Sequence, residues 1–276
     1  MNSVLNILGR NLARYLAQPI SNYEPLATSD PKQLHRTLRP CDVLLVEGNT
    51  RISTAIKYLT QSTWSHAVLY VGDAVPGCRD VPDLPVLIEA DLQHGVCAVP
   101  LSRYHHFHTR ICRPVGLSEA DRRHIIESAV ARIGHTYDLK NVIDLARYLL
   151  PTPPVPVRWR RRMLALGSGE PTRAICSTLI AQLFQSVGYP ILPRIETRAA
   201  PRPGCEHCVQ EILHIRHHSL FAPRDFDISP YFRIVKPTIM KGFDYKALNW
   251  GDGTADEHPA ALASALAKTI KDQIAV

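Results

Sequence analysis

The sequence predicts an α+β domain in which a small antiparallel sheet packs against helices. Two observations carry this. Short apolar runs with turn signals between them are grouped in residues 43–113, and helical periodicity takes over from Ser118 onward. A third observation bounds it. Of 276 residues, 45% are hydrophobic and 21% charged, which is enough apolar material for a packed core and excludes a disordered chain.

Taken in order, the first twenty residues place Val4, Leu5, Leu8, Leu12, Tyr15 and Leu16 on one helical stripe, with Arg10 and Arg14 off it. Two readings are open: a helix docked on the main domain, or a helix lying on an anionic membrane surface. Residues 19–31 are polar and proline-punctuated, a linker. VLLV at 43–46 is a buried strand after the Pro40-Cys41-Asp42 turn, and residues 52–59 have helical spacing. Residues 66–71 form a strand that stops at Gly72-Asp73; residues 86–89, 95–99 and 110–113 complete the strand block. Ser118 is the N-cap of a helix through Ile133. A second helix covers residues 139–150 and stops at Pro151; a basic cluster, Arg158, Arg160, Arg161 and Arg162, follows. Residues 174–187 form a third helix with Gly188 in the C′ position. Residues 191–218 read as a basic insertion of short polar pieces, residues 231–235 as a last strand, and residues 260–274 as a small-residue helix beyond a linker. The expected division is therefore an N-terminal helix and linker (1–37), a main domain (38–240) and a C-terminal extension (241–276).

Composition narrows the function classes. No apolar run approaches the roughly 18 residues of a membrane-spanning helix. The net charge of +7 favours an anionic surface but is too small to imply nucleic-acid binding. Seven cysteines without framework spacing, and an N-terminus with no basic region or cleavage site, suggest a reduced, cytoplasmic protein, peripherally membrane-bound if the first helix meets lipid.

Three residues attract chemistry. Cys176, in RAICSTLIAQLF, sits in the first turn of an apolar helix, where the helix dipole and unpaired backbone amides favour a thiolate and can later receive an oxyanion. The alternative is a buried structural cysteine. His66 opens a strand after a polar loop, so it can serve as base to a thiol on a facing helix, or sit satisfied at the strand end. Glu89 closes a hydrophobic strand, where an unpaired carboxylate is costly; an imidazole on the adjacent strand would satisfy it and be oriented by it. Trp64 and Ser65, in the loop before His66, and Tyr137, in GHTYDLKN, are candidate substrate contacts. Cys205, Cys208, His214 and His218 are weak zinc-ligand candidates, since the gap between the cysteines and His214 is short for a zinc finger. His105, His106 and His108 read as surface residues. No cofactor is expected.

The runs LRPCDVLLVEGNTRISTAIKYLTQSTWSHAVLYVG, VLIEADLQHGV, HTYD and ICSTLIAQLF resemble the YiiX/YebB-like cysteine hydrolases, circularly permuted papain-fold relatives of the NlpC-type peptidases. The resemblance spans residues 38–237. It implies a circularly permuted papain-like fold, with Cys176 as nucleophile, His66 as general base and Glu89 as orienting acid. One departure is Cys41, which stands where the family's "PGD" turn has glycine. The activity implied is hydrolysis of an amide bond, in a peptide or an N-acyl group, through a thioester. The alternatives are a lipid acyl hydrolase or acyltransferase of the lecithin–retinol acyltransferase-like type, and a non-catalytic lipid- or peptide-binding module. The partners follow: a peptide, amide or lipid acyl substrate, an anionic membrane surface under the second reading, and no nucleic acid.

Overall fold

The computed structural model describes residues 14–20, 27, 29–78, 83–91, 94–135, 175–200, 204–205, 207–240 and 242–247. Within them lie α1 (Pro31–Thr37), β1 (Val43–Val46), α2 (Arg51–Thr60), β2 (His66–Tyr70), β3 (Pro85–Asp91), β4 (Gly95–Pro100), a 3-10 turn (Leu101–Tyr104) and β5 (Thr109–Pro114). Then come α3 (Glu119–Val130), α4 (Ile175–Ser186), β6 (Arg194–Ala199), β7 (Val209–His214), a 3-10 turn (His218–Leu220), α5 (Pro223–Asp227), β8 (Phe232–Val235) and α6 (Pro237–Met240). The chain divides after Lys241; in the second unit the described residues hold one 3-10 turn, Tyr245–Ala247. The fold is α+β. The expected helix at 139–150, the Arg158–Arg162 cluster, Tyr137 and the helix at 260–274 lie outside the described residues.

Six strands form one antiparallel sheet in the order β4-β3-β2-β1-β5-β8. β1 is central and all four of its residues are buried, which is why it reads as an unbroken apolar run rather than an alternation. Leu45, Leu69, Ile88 and Cys112 project to one face of the sheet, where Leu179, Ile180, Leu183 and Phe184 of α4 and Ile125 and Ala129 of α3 cover them. Leu44, Val68, Leu87 and Ile111 project to the other, under Leu34, Leu38, Leu101 and Tyr104. α4 is apolar around most of its circumference because core surrounds it. Ser118 caps α3 by accepting from the Asp121 N–H, and Gly188, past the end of α4, has the left-handed φ of 70° that its place predicts.

Cys41 has a φ of 71°, the left-handed region where glycine is at ease and a side chain is strained. Its turn is held by Asp42, which accepts from the Arg39 N–H and from Arg113 through Nε at 2.8 Å and Nη2 at 2.7 Å. Both members of this ion pair are buried.

The end of the first helix is tied to the domain. Leu16 is buried, Pro19 bridges Thr50, and the Arg51 guanidinium donates to the Tyr15 hydroxyl. For residues 14–20 this is the docked arrangement. Residues 191–218 are not loose polar pieces. β6 and β7 form a separate two-stranded hairpin, with Arg194 opposite His214 and Ala199 opposite Val209, both strands mostly exposed.

Removing Asp42 leaves the Arg113 guanidinium buried without its carboxylate, so Asp42→Ala should cost about 3–5 kcal/mol of stability. Glu119→Gln, at an exposed pair with Arg122, should leave the urea midpoint within error. Equal midpoints for Asp42→Ala and the native chain would contradict the role given to this pair.

Candidate functional site

The site forms where the sheet opens. β1 and β2 are paired from Val43–Leu69 to Val46–His66, but β2 and β3 are paired only at Leu69–Ile88 and Tyr70–Leu87. The Tyr70 N–H points to β1, at Asp42, and the Val71 N–H to β3, at Val86. By alternation the Ala67 N–H faces β3, at the stretch where β3 has parted from β2. That amide donates instead to the sulfur of Cys176, in the first turn of α4, and the Ser177 N–H donates to it too. The strand gap thus admits a helix N-terminus and gives its thiol two backbone donors.

Residues 66, 68 and 70 share a face of β2, and the sheet register puts 87, 89 and 91 on that same face of β3. His66 Nε2 accordingly meets Glu89 Oε2 at 2.9 Å. This leaves Nδ1 for Cys176, with which the ring is hydrogen-bonded. Cys176 and Glu89 are buried at 4% and 1% exposure, while the His66 side chain keeps 22%. The structure therefore brings Cys176, His66 and Glu89 together in the order thiol, imidazole, carboxylate.

Tyr104 and Arg103 give no signal in the sequence, because the 3-10 turn that carries them has no periodicity to read. The buried Tyr104 hydroxyl donates to Glu89 Oε2, the oxygen that also faces His66. Arg103 Nη2 lies 3.4 Å from Oε1, and the Cys97 thiol, directly opposite Glu89 on β4, points at Oε1 from 3.8 Å.

The electrostatics follow from these contacts. Burial alone would raise Glu89, but the hydrogen bond and charge of His66, then Tyr104 and Arg103, outweigh it and hold the carboxyl at about 2. Burial alone would lower His66, but the charge and hydrogen bond of Cys176, reinforced by Glu89, push it up to about 10. Burial would raise Cys176, but His66 and the two backbone donors bring it below the ordinary 9.0 of a thiol. Cys41, by contrast, is driven by burial to about 12, and Cys112 goes higher still. An imidazolium–thiolate pair backed by a fixed carboxylate is a nucleophile with a proton donor beside it.

The remaining sequence candidates fall elsewhere. Trp64 is 3% exposed; its indole N–H donates to Asp227 Oδ2 at 3.0 Å, Arg110 lies over its ring, and Arg110 also bonds Asp227. The Ser65 hydroxyl is buried and accepts from the Gly48 N–H at 2.9 Å, where a Cβ on Gly48 would be 3.0 Å from it. Both side chains fix the loop that delivers His66 and offer no polar group to a substrate. His108 is not a plain surface residue: it bonds Glu47 and lies against Trp64. The zinc alternative is corrected as well. Cys205 and Cys208 form a disulfide with each other, so neither offers a thiolate and the cysteines are not all reduced. His214 is bonded to Glu196, and His218 lies under Gln182.

No family model matches the chain, and no curated protein matches it. Among solved structures it bears a distant likeness of fold to the metalloprotein YiiX from Escherichia coli O157:H7. The identity is 14% and the TM-score 0.41, over 78% of this chain and 98% of that one.

Two measurements follow. Iodoacetamide should alkylate Cys176 at pH 6, well below the ordinary thiol range, while Cys41 and Cys112 stay unmodified; His66→Ala should abolish that low-pH reactivity. Reaction of Cys176 only above pH 9 would contradict the ion pair. Tyr104→Phe removes a donor to Glu89 and raises its pKa, so the low-pH limit of alkylation should move upward. Arg103→Gln should shift it the same way, and an unmoved limit in both variants would reduce these residues to packing.

Proposed function

We propose that this protein is a thiol hydrolase of the permuted papain-like type, acting on an amide bond in a peptide or an N-acyl group. The observation that carries this reading is the hydrogen-bonded line Cys176–His66–Glu89, with the thiol in the first turn of a helix and the carboxylate buried. In the reaction proposed, the Cys176 thiolate attacks the carbonyl carbon, and the oxyanion that develops is met by backbone amides at the start of α4. The His66 imidazolium gives its proton to the departing amine, leaving a thioester and a neutral ring. Neutral His66 then takes a proton from water, which cleaves the thioester, and the thiolate–imidazolium pair is restored. Glu89 keeps its charge throughout and stabilises each imidazolium state.

The same thioester would serve an acyl transfer from lipid. In the sequence that second reading is favoured by the basic balance, the amphipathic first helix and the Arg158–Arg162 cluster. The described end of that helix has its Leu16 buried on the domain, so that part of the apolar stripe is already occupied. Amide hydrolysis is therefore preferred.

Cys176→Ala should abolish turnover while leaving the urea midpoint close to native, and incubation of the native chain with lysate peptides should yield an acyl adduct on Cys176 by intact mass. His66→Ala should lower kcat about 10³-fold, in the range of a lost general acid–base. Glu89→Gln should cost less, since an amide still holds the ring but cannot stabilise its charge. Turnover surviving in Cys176→Ala, or a larger loss in Glu89→Gln than in His66→Ala, would overturn these roles.

A further inference from the structure

Away from the thiol, a cleft of about 460 Å³ is lined by Arg39, Arg113, Arg122 and Arg233 and by a single acid, Glu119. Two of the four arginines are already neutralised. Arg113 is clamped by Asp42, and Arg122 pairs with Glu119 at 3.2 Å while donating to the Pro40 carbonyl. The side chains of Arg39 and Arg233 are exposed, and no carboxylate among the described residues pairs with either. The sheet adds a further constraint. Arg113 on β5 and Arg233 on the edge strand β8 are directly opposite each other, so both project from the same face as like charges. A cross-strand pair of like charges is unfavourable unless something of opposite sign lies between or beside them. Asp42 serves that role for Arg113 alone, and its oxygens are taken up by Arg113 and by the Arg39 amide. A ligand-sized cleft thus carries two uncompensated guanidinium groups, beside two more fixed in place by their own partners.

We propose that this cleft binds a phosphate-bearing anion of charge two or more. Such a charge compensates the two unpaired arginines, and its oxygens suit the forked donors of Arg39 and Arg233, with Arg122 also lining the cleft. A carboxylate would leave one arginine unmatched. The phosphate can belong to a free phosphorylated small molecule or to a lipid headgroup. This assignment is independent of the thiol chemistry.

The test uses the full chain and inorganic pyrophosphate, followed by calorimetry, beside sedimentation with phosphatidylcholine vesicles containing phosphatidic acid or lacking it. Pyrophosphate should bind. Arg39→Gln and Arg233→Gln should each weaken it about tenfold, the loss of one charge-assisted bond. Glu119→Gln should tighten it. Sedimentation with phosphatidic acid vesicles that pyrophosphate competes away, and that the double variant loses, identifies a lipid source; pyrophosphate binding without sedimentation identifies a free one. Absence of binding to both probes overturns the proposal. So does binding unchanged in a double variant whose urea midpoint is native, because the anion then sits on another basic surface.

Discussion

Everything at the candidate site depends on keeping one carboxylate ionised inside the protein. Burying a charged Glu89 costs several kcal/mol unless hydrogen bonds replace the water it loses. Three groups supply them, His66 and Tyr104 at Oε2 and Cys97 at Oε1, and the Arg103 guanidinium adds an ion pair at Oε1. These partners come from β2, β4 and the 3-10 turn after β4, so the register of Glu89 opposite Cys97 and the tight turn at Tyr104 are both fixed by the same demand. With both oxygens occupied, Glu89 has no call to accept a proton. The proton is favoured on His66 instead, whose charge in turn lowers the pKa of Cys176.

The scaffold makes the other half of the arrangement by stopping a ladder early. Had β2 stayed paired to β3 as far as His66, the Ala67 amide would be spent on a strand. Because pairing ends at Leu69, the amide is turned over to Cys176 and the first turn of α4 approaches the gap between β2 and β3. Core packing holds that approach: Leu179, Ile180, Leu183 and Phe184 anchor α4 to the sheet, and the buried Ser177 hydroxyl donates to the Phe221 carbonyl at 2.7 Å. At the neighbouring corner, Trp64, Arg110 and Asp227 lock the loop that leads into His66. The thiol, the ring and the carboxylate therefore sit on rigid elements, as a preorganised site requires.

Much of the sheet was legible because its strands are short and buried. VLLV and HAVLY stand out as apolar runs bounded by turns, and Ser118 and Gly188 announce helix ends by their chemistry. Cys176, His66 and Glu89 stood out because each is an unusual residue for its place. Tyr104 and Arg103 did not, since a buried tyrosine in a one-turn 3-10 segment looks like any loop residue until its partner is located. The β6–β7 hairpin was missed for a different reason: most of its strand residues are exposed, so no burial alternation reaches the sequence, and nine residues separate the two strands. The Cys205–Cys208 spacing suits a metal or a disulfide equally, and only coordinates distinguish them. Trp64 and Ser65 flank the catalytic candidate in sequence, yet adjacency in the chain says nothing about which way a side chain turns.

The central claim is that His66 is an imidazolium because Glu89 and a Cys176 thiolate flank it. The direct measurement is the nitrogen-15 NMR spectrum of the His66 ring at pH 7, in the native chain and in Cys176→Ala. The account predicts both ring nitrogens protonated in the native protein, and a neutral ring in the alanine variant, where the thiolate's charge is gone. A native ring protonated on one nitrogen only, with shifts unaltered by loss of the thiol, would contradict it.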